Sequence, residues 1–217
     1  MTTDTLPDTA VLADLPLFPL QTVLFPDGLL GLKVFEARYL DLMSACLRTG
    51  TPFGVVALTQ GAEVRRAGDG STVRFESTGT LASLLECDAP QAGLLTVKAR
   101  GTRRFRLIGE ARQQADGLWR APTAVLAPDP VVAPDAARLP TVQGLATAIG
   151  SLRRQGQSPF LEPLRFDDAG WVANRWCEIL PIQVPAKQRL MELEDPQARL
   201  SLVDEFLRGQ GVIGGGA

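Results

Sequence analysis

Apolar and polar residues alternate over several short stretches between residues 15 and 126, which is the spacing of half-buried β-strands. The first stretch, residues 15–20, is interrupted by Pro16 and Pro19. Because proline cannot donate a hydrogen bond to a neighbouring strand, we predict an edge strand or an extended arm here. Residues 29–35 alternate without interruption and predict a second strand.

The pattern changes to helical spacing over residues 36–49, where apolar side chains recur every three or four positions. Gly50 supplies a stop at the helix C-terminus, and Pro52 prevents the helix from continuing. The predicted buried stripe of this helix consists of Tyr39, Leu40, Met43, Cys46 and Leu47.

Further strands are predicted at residues 53–58, 73–87 and 119–126, with a surface loop rich in glycine and charge at residues 60–71. Gly79 lies inside the second of these strands, where glycine is unfavourable. We therefore expect a β-bulge or a close backbone approach at Gly79.

Residues 95–107 predict a β-hairpin, because two alternating segments are separated by the polar residues 101–103. A three-residue loop pairs Ala99 with Phe105, so that apolar side chains share one face. A two-residue loop would mix the faces, since a slip by one residue moves every side chain to the other side.

Three prolines in residues 128–134 end the β-rich region, and the remainder of the chain has helical spacing. Asp167 or Asp168 can cap one of the predicted helices, and Asp195 precedes a proline at the first position of another. The expected organisation is a flexible tail at 1–13, a β-rich domain at 14–127, a linker at 128–139, a helical subdomain at 140–209 and a disordered tail at 210–217.

The 217 residues include no histidine. This absence excludes Ser–His and Cys–His nucleophile pairs, histidine general bases and histidine metal sites. The three cysteines are widely spaced and form no CxxC motif, so neither a disulfide framework nor a zinc site is expected. We expect reduced thiols in a cytoplasmic protein, with no cofactor and no metal.

The net charge of −2 gives no general attraction to nucleic-acid phosphates. The N-terminal residues carry no basic side chain, which argues against a signal or transit peptide. No apolar run approaches the roughly 20 residues that cross a bilayer, so we expect no membrane association. The sequence leaves the oligomeric state open.

Several short motifs, each weak alone, together resemble the LON substrate-binding domain, the family of the N-terminal domain of Lon protease. Their order and spacing carry the resemblance over residues 14–208. The motifs are residues 15–20 (LPLFPL), 23–26 (VLFP), 34–39 (VFEARY), 53–56 (FGVV), 79–82 (GTLA), 101 and 104–106 (G and RFR), 172–175 (VANR), 180–181 (LP), 187–188 (KQ) and 193–196 (LEDP).

The resemblance implies an α+β fold: a small, distorted PUA-like β-barrel with one inserted helix, followed by a C-terminal helical bundle, as in free-standing bacterial members. It also implies a non-catalytic module that binds unfolded or extended polypeptides, with a protease or chaperone component as a further candidate partner. No G-x-x-x-x-G-K-[ST] motif occurs, so no P-loop ATPase is expected. The chain ends where the ATPase of a full Lon protease would begin, so we expect the Ser–Lys protease domain to be absent too.

Candidate peptide-binding residues come from segments that should converge. Phe18, Phe25 and Phe35 are core residues in one interpretation, whereas in the other one or two of them border a groove beside the helical half. The first residues of the predicted helix include Glu36, Arg38 and Tyr39. In the functional interpretation these side chains line a recognition surface. The alternative is local: Glu36 stabilises the helix N-terminus, Arg38 pairs nearby and Tyr39 packs in the core.

A second candidate surface is basic and supports the alternative function, RNA binding by a PUA-like barrel. Lys98, Arg100, Arg104 and Arg106 would share one face of the predicted hairpin. No aromatic residue lies on that face to stack on bases. A solvated strand face that discourages edge-to-edge association explains the same residues, and nucleic acid is therefore not an expected partner.

Overall fold

The computed structural model of the chain describes residues 10–63 and 72–213. These residues form two compact units, the first ending at Pro128 and the second beginning at Asp129. The first unit contains seven strands and one helix: β1 (Val11–Leu20), β2 (Leu29–Val34), α1 (Ala37–Thr49), β3 (Phe53–Gln60), β4 (Arg74–Gln91), β5 (Leu94–Leu107), β6 (Arg112–Gln113) and β7 (Trp119–Val125). The α+β class expected from the sequence is confirmed.

The strands of the first unit form one sheet in the order β2-β5-β4-β3-β1-β7-β6, and β5 also pairs with β7. Pairing among β5, β4, β3, β1 and β7 therefore closes on itself, while β2 and β6 lie outside the circuit. The β1–β3 pair is parallel and the other pairs are antiparallel.

The prediction that the first strand lies at an edge is wrong, because β1 pairs with β7 on one side and with β3 on the other. Its two partners cover different lengths of the strand. Pro16 pairs only in the β7 register, and Pro19 only in the β3 register. Each proline thus has a neighbouring strand on one side only, which is how an interior strand accommodates residues without an N–H donor.

The predicted hairpin over residues 95–107 is also wrong, because these residues belong to the single strand β5. The turn that joins β4 to β5 lies earlier, at Ala92 and Gly93, and Gly93 adopts the left-handed conformation with φ of 76°. The apolar positions Ala99 and Phe105 are six residues apart, which is an even spacing. Both side chains are buried, but the register of β4 and β5 shifts between Gly101 and Arg104, and Ala99 and Phe105 belong to different clusters of the core.

The close approach expected at Gly79 is present. A Cβ atom at this position would lie 2.2 Å from the Val55 carbonyl oxygen and 2.7 Å from Cζ of Phe105. Gly54 on β3 meets the same ring, since a Cβ there would lie 2.7 Å from Cζ of Phe105. A side chain at Gly79 would meet the backbone of β3, whereas one at Gly54 would displace neighbouring side chains.

Helix α1 ends at Gly50, which has φ of 69° as predicted, but the buried stripe differs from the prediction. Leu47 is 57% exposed and Leu40 is only partly buried. Leu42 takes the place of Leu47 on the buried face. The side chains that α1 buries are Arg38, Tyr39, Leu42, Met43 and Cys46.

The second unit contains a 3₁₀ turn at Ala136–Arg138 and four helices: α2 (Leu139–Arg154), α3 (Ala169–Ile179), α4 (Val184–Glu192) and α5 (Pro196–Gly209). The predicted caps are present. Asp168 accepts hydrogen bonds from the Gly170 and Trp171 amides, and Asp195 accepts them from Gln197 and Ala198. No helix among the described residues is long and apolar enough to span a membrane.

A buried arginine joins three segments of the second unit. Arg199 on α5 donates to Asp129 at 2.6 Å, to the Asn174 side chain at 3.1 Å and to the Leu190 carbonyl at 2.8 Å. A buried guanidinium is tolerated only when its hydrogen bonds are satisfied, so Arg199 fixes the positions of α3, α4 and the chain before α2.

Some residues of the two predicted tails are ordered parts of the structure. β1 begins at Val11, inside the predicted tail at 1–13, and Ile213 is buried although the predicted disordered tail begins at residue 210. Residues 1–9 and 214–217, and residues 64–71 of the predicted loop at 60–71, lie outside the described residues.

Replacing Gly79 by valine should destabilise the first unit by more than the ~1 kcal/mol that strand propensity spans, since overpacking costs about 1–3 kcal/mol. Gly31→Val is the matched control, because a Cβ at Gly31 has no atom within 4 Å. Urea unfolding measures both variants. A loss in Gly79→Val no larger than in the control would contradict the close approach.

Candidate functional site

A cleft of about 230 Å³ lies beside strand β2, and residues of the first unit alone line it. Strand β2 and the residues after it form one wall, and residues of β1 and α1 lie opposite. The lining residues are Phe18, Leu20, Gly31, Leu32, Lys33, Val34, Phe35, Glu36, Tyr39 and Glu63. This volume is below the roughly 300–1,000 Å³ typical of small-molecule sites and suits a single large side chain.

Two stacked aromatic rings form the buried floor of the cleft. The ring centroids of Phe18 and Tyr39 lie 3.9 Å apart with an interplanar angle of 11°, and Phe53 packs on Phe18 at 6.1 Å. The Arg38 guanidinium covers the Tyr39 ring at 4.6 Å. Because Phe18 and Tyr39 are held from several sides, the floor is rigid.

Arg38 is itself held in place by two polar contacts. It pairs with Glu36 at 2.8 Å and donates to the Gly117 carbonyl at 2.9 Å. Glu36 occupies the N-cap position of α1, but its side chain makes no capping hydrogen bond. These contacts agree with the local interpretation, in which Arg38 pairs nearby and Tyr39 packs in the core. Glu36 and Tyr39 also line the cleft.

The three candidate phenylalanines have different environments. Phe18 lies in the floor, whereas Phe35, directly after β2, is 53% exposed at the rim. Phe25 is fully buried and does not line the cleft. Phe25 is therefore a core residue, and of the three only Phe35 offers substantial apolar surface to a ligand.

Four of the lining residues, Gly31, Leu32, Lys33 and Glu63, were not among the candidates predicted from the sequence. The alternation of β2 placed Lys33 on the solvent side, but nothing in the sequence showed which strand edge would border a cleft. Glu36 is engaged by Arg38, and Glu63 accepts a hydrogen bond from the Gln21 amide. Among the described residues, neither Lys33 nor Glu63 makes an ion pair, and Lys33 is the basic residue at the rim.

The four basic residues do not form one free cationic face. Lys98 pairs with Glu86 at 2.7 Å, and this hydrogen-bonded partner raises the pKa of Lys98. Arg100 pairs with Asp27. Arg104 is only 4% exposed, while Arg106 is exposed. The four residues lie on one strand, but the register of β4 and β5 shifts between the Thr80–Arg104 and Ala82–Gly101 pairs, which breaks the alternation along β5, and Arg104 is buried.

The thiols are poor nucleophiles in their environments. Burial raises the pKa of Cys177 to about 12 and also raises the pKa of Cys46. Cys87 is half-buried, and its pKa is raised by burial and by the nearby Asp88. All three thiols are protonated at neutral pH, and the described residues contain no cluster of three His, Cys, Asp or Glu that could hold a metal.

Comparison with known proteins gives one consistent family. The family model for the ATP-dependent protease La (LON) substrate-binding domain matches residues 14–209. A crystal structure of a Lon N-terminal domain protein from Xanthomonas campestris is 30% identical with a TM-score of 0.67, and the match covers 90% of this chain and 99% of that one.

The N-terminal domain of a Mycobacterium avium complex Lon protease shares the fold at 15% identity with a TM-score of 0.58. This match covers 90% of this chain and 98% of that one. A search among curated proteins gave no significant match.

The raised pKa of Cys177 predicts that a thiol reagent at pH 8 leaves this residue unmodified in the native protein, since only the thiolate reacts. Cys87 should react slowly because it is partly exposed. Modification read by peptide mass spectrometry tests this, with urea-unfolded protein as the control in which all three cysteines react. Rapid modification of native Cys177 would contradict its burial.

Proposed function

Because the chain belongs to the family of LON substrate-binding domains, we propose that it is a non-catalytic module that binds unfolded or extended polypeptides. The sequence supports a binding role, since it has no histidine and no P-loop motif for ATP hydrolysis. The proposed partners are unfolded chains in the cytoplasm, and a protease or chaperone component is a further candidate.

The observation that carries this proposal is the cleft beside β2. Its rim presents Phe35, a large apolar side chain that is half exposed next to a rigid aromatic floor. An unfolded polypeptide offers apolar side chains that a folded protein hides. Burying one such side chain gives about 1.5–3 kcal/mol, and neighbouring contacts must supply the remaining binding energy.

We also propose a more specific architecture for the first unit. The closed circuit of β5, β4, β3, β1 and β7 supports a small, distorted barrel of the PUA-like type, with α1 inserted after β2. We assign residues 14–127 to this LON-type domain, 128–139 to a linker and 140–209 to a helical bundle. The division of the chain after Pro128 supports this assignment.

RNA binding remains the alternative, but the environments of the basic residues weigh against it. Lys98 and Arg100 are paired with carboxylates, and Arg104 is buried, so little of their charge is free for phosphates. The aromatic residue of β5, Phe105, is fully buried and cannot stack on bases.

Titration of a labelled unfolded protein, such as reduced and carboxymethylated casein, should give saturable binding to the full chain. We expect a dissociation constant around micromolar, about −8 kcal/mol, because an unfolded ligand loses chain entropy when it binds. Phe35→Ala should weaken binding by about tenfold, since it removes the apolar rim of the cleft. Fluorescence anisotropy measures both constants.

Leu47→Ala is the matched control, because Leu47 is similarly exposed at 57% but does not line the cleft. Phe25→Ala is unsuitable, since emptying a fully buried phenylalanine site costs about 3–5 kcal/mol of stability. The proposal fails if the native protein shows no saturable binding. Equal weakening by Leu47→Ala and Phe35→Ala would instead reject the cleft as the site.

Binding of single-stranded RNA should be weak and depend little on sequence. Even if all four basic residues contacted phosphates, the slope of log K against log salt would be about −3 or shallower. Filter binding over a range of salt concentrations measures the slope. Tight, sequence-selective binding at physiological salt would favour the RNA alternative.

A further inference from the structure

Strand β2 is the unpaired edge next to the cleft. Among the described residues it pairs only with β5, and its other side has no neighbouring strand. The opposite end of the sheet is different, because β6 has only the residues Arg112 and Gln113. β2 is therefore the edge that is long enough to accept another strand.

The hydrogen-bond register shows which main-chain groups of β2 face outward. Gly101 donates to the Gly28 carbonyl at 2.9 Å, and Leu29 pairs with Arg100 in the same continuous register. Antiparallel residues alternate between bonded and non-bonded pairs. Leu30, Leu32 and Val34 therefore use their main-chain groups toward β5.

The main-chain N–H and C=O groups of Leu29, Gly31 and Lys33 consequently point to the open edge. Gly31, in the middle of this edge, has no side chain, and a Cβ there would meet no atom within 4 Å.

The cleft is bordered by consecutive residues of β2 and the segment after it, so Leu32 and Val34 of the buried face and Lys33 of the exposed face all lie beside it. Adjacent residues of a strand point to opposite faces of the sheet, so when one residue of an added strand lies toward Leu32 and Val34, its neighbour lies on the face that carries the Lys33 side chain. The cleft is apolar at its floor and holds a single large side chain, whereas Lys33 is a cation without an ion pair among the described residues. An apolar residue directly beside an acidic one matches both.

We propose that β2 binds an extended polypeptide segment as an added β-strand, with a large apolar side chain in the cleft and an adjacent acidic side chain against Lys33. This inference rests on the proposed function and specifies the ligand of the same site. Main-chain hydrogen bonds supply affinity that is independent of sequence, and the cleft and Lys33 select the segment.

The test uses the full chain and short peptides that contain one phenylalanine flanked by either glutamate or lysine. The glutamate peptide should bind about two- to fivefold more tightly, as expected for an exposed ion pair. Lys33→Glu should reverse this preference. Arg106→Glu is the control of equal charge change, because Arg106 is exposed on β5 but does not line the cleft.

N-methylation of the peptide tests the added strand directly, since each methyl group removes one main-chain donor. Alternate residues of an added strand direct their main-chain N–H toward β2, and the residues between them direct it to solvent. Methylation of the residues that face β2 should weaken binding by about tenfold, whereas methylation of the residues that face solvent should have little effect. Circular dichroism of each protein variant checks that it is folded.

The outcomes separate this inference from the proposed function. Saturable binding with no dependence on methylation phase and no effect of Lys33→Glu would overturn the added strand and leave polypeptide binding intact. No binding of any peptide or unfolded protein would overturn both. A chain that sediments as a dimer and is not dissociated by the peptides would show that β2 pairs with a second copy, which also overturns the inference.

Discussion

The fold of the first unit depends on the close approach of three strands around the ring of Phe105. Gly54 on β3 and Gly79 on β4 both face this ring, and a Cβ at either position would lie 2.7 Å from it. Phe105 is fully buried and pairs with Val125 of β7, so the same residue also lies where the circuit of strands closes. A side chain at position 79 would meet the Val55 backbone and one at position 54 would displace the Phe105 ring, so either would weaken this closure.

The open edge of β2 follows from how β5 uses its two sides. One side of β5 pairs with β4 along most of its length. The other side is divided, with β2 at residues 95–100 and β7 at residues 105–107. Because β7 closes the circuit, β2 is left outside it with one unpaired edge. The proposed added strand would pair with this edge.

The site combines a fixed floor with an accessible rim. Tyr39 is stacked between Phe18 and the guanidinium of Arg38, which is anchored by Glu36 and by a backbone carbonyl. Little conformational entropy is therefore lost in the floor when a ligand binds, and most of the entropy cost is that of ordering the peptide.

The sequence by itself determined the α+β class, the family, the helix caps at Asp168 and Asp195 and the special backbone at Gly79, because these depend on local spacing and on short motifs. It also placed Phe18, Phe35, Glu36 and Tyr39 among the candidate residues. Only the tertiary structure decided that β1 is interior, that residues 94–107 form one strand, and that Phe25 and Arg104 are buried. Local alternation fixes which side chains share a face, but strand partners come from distant parts of the chain, so the open edge at β2 could not be read from the sequence.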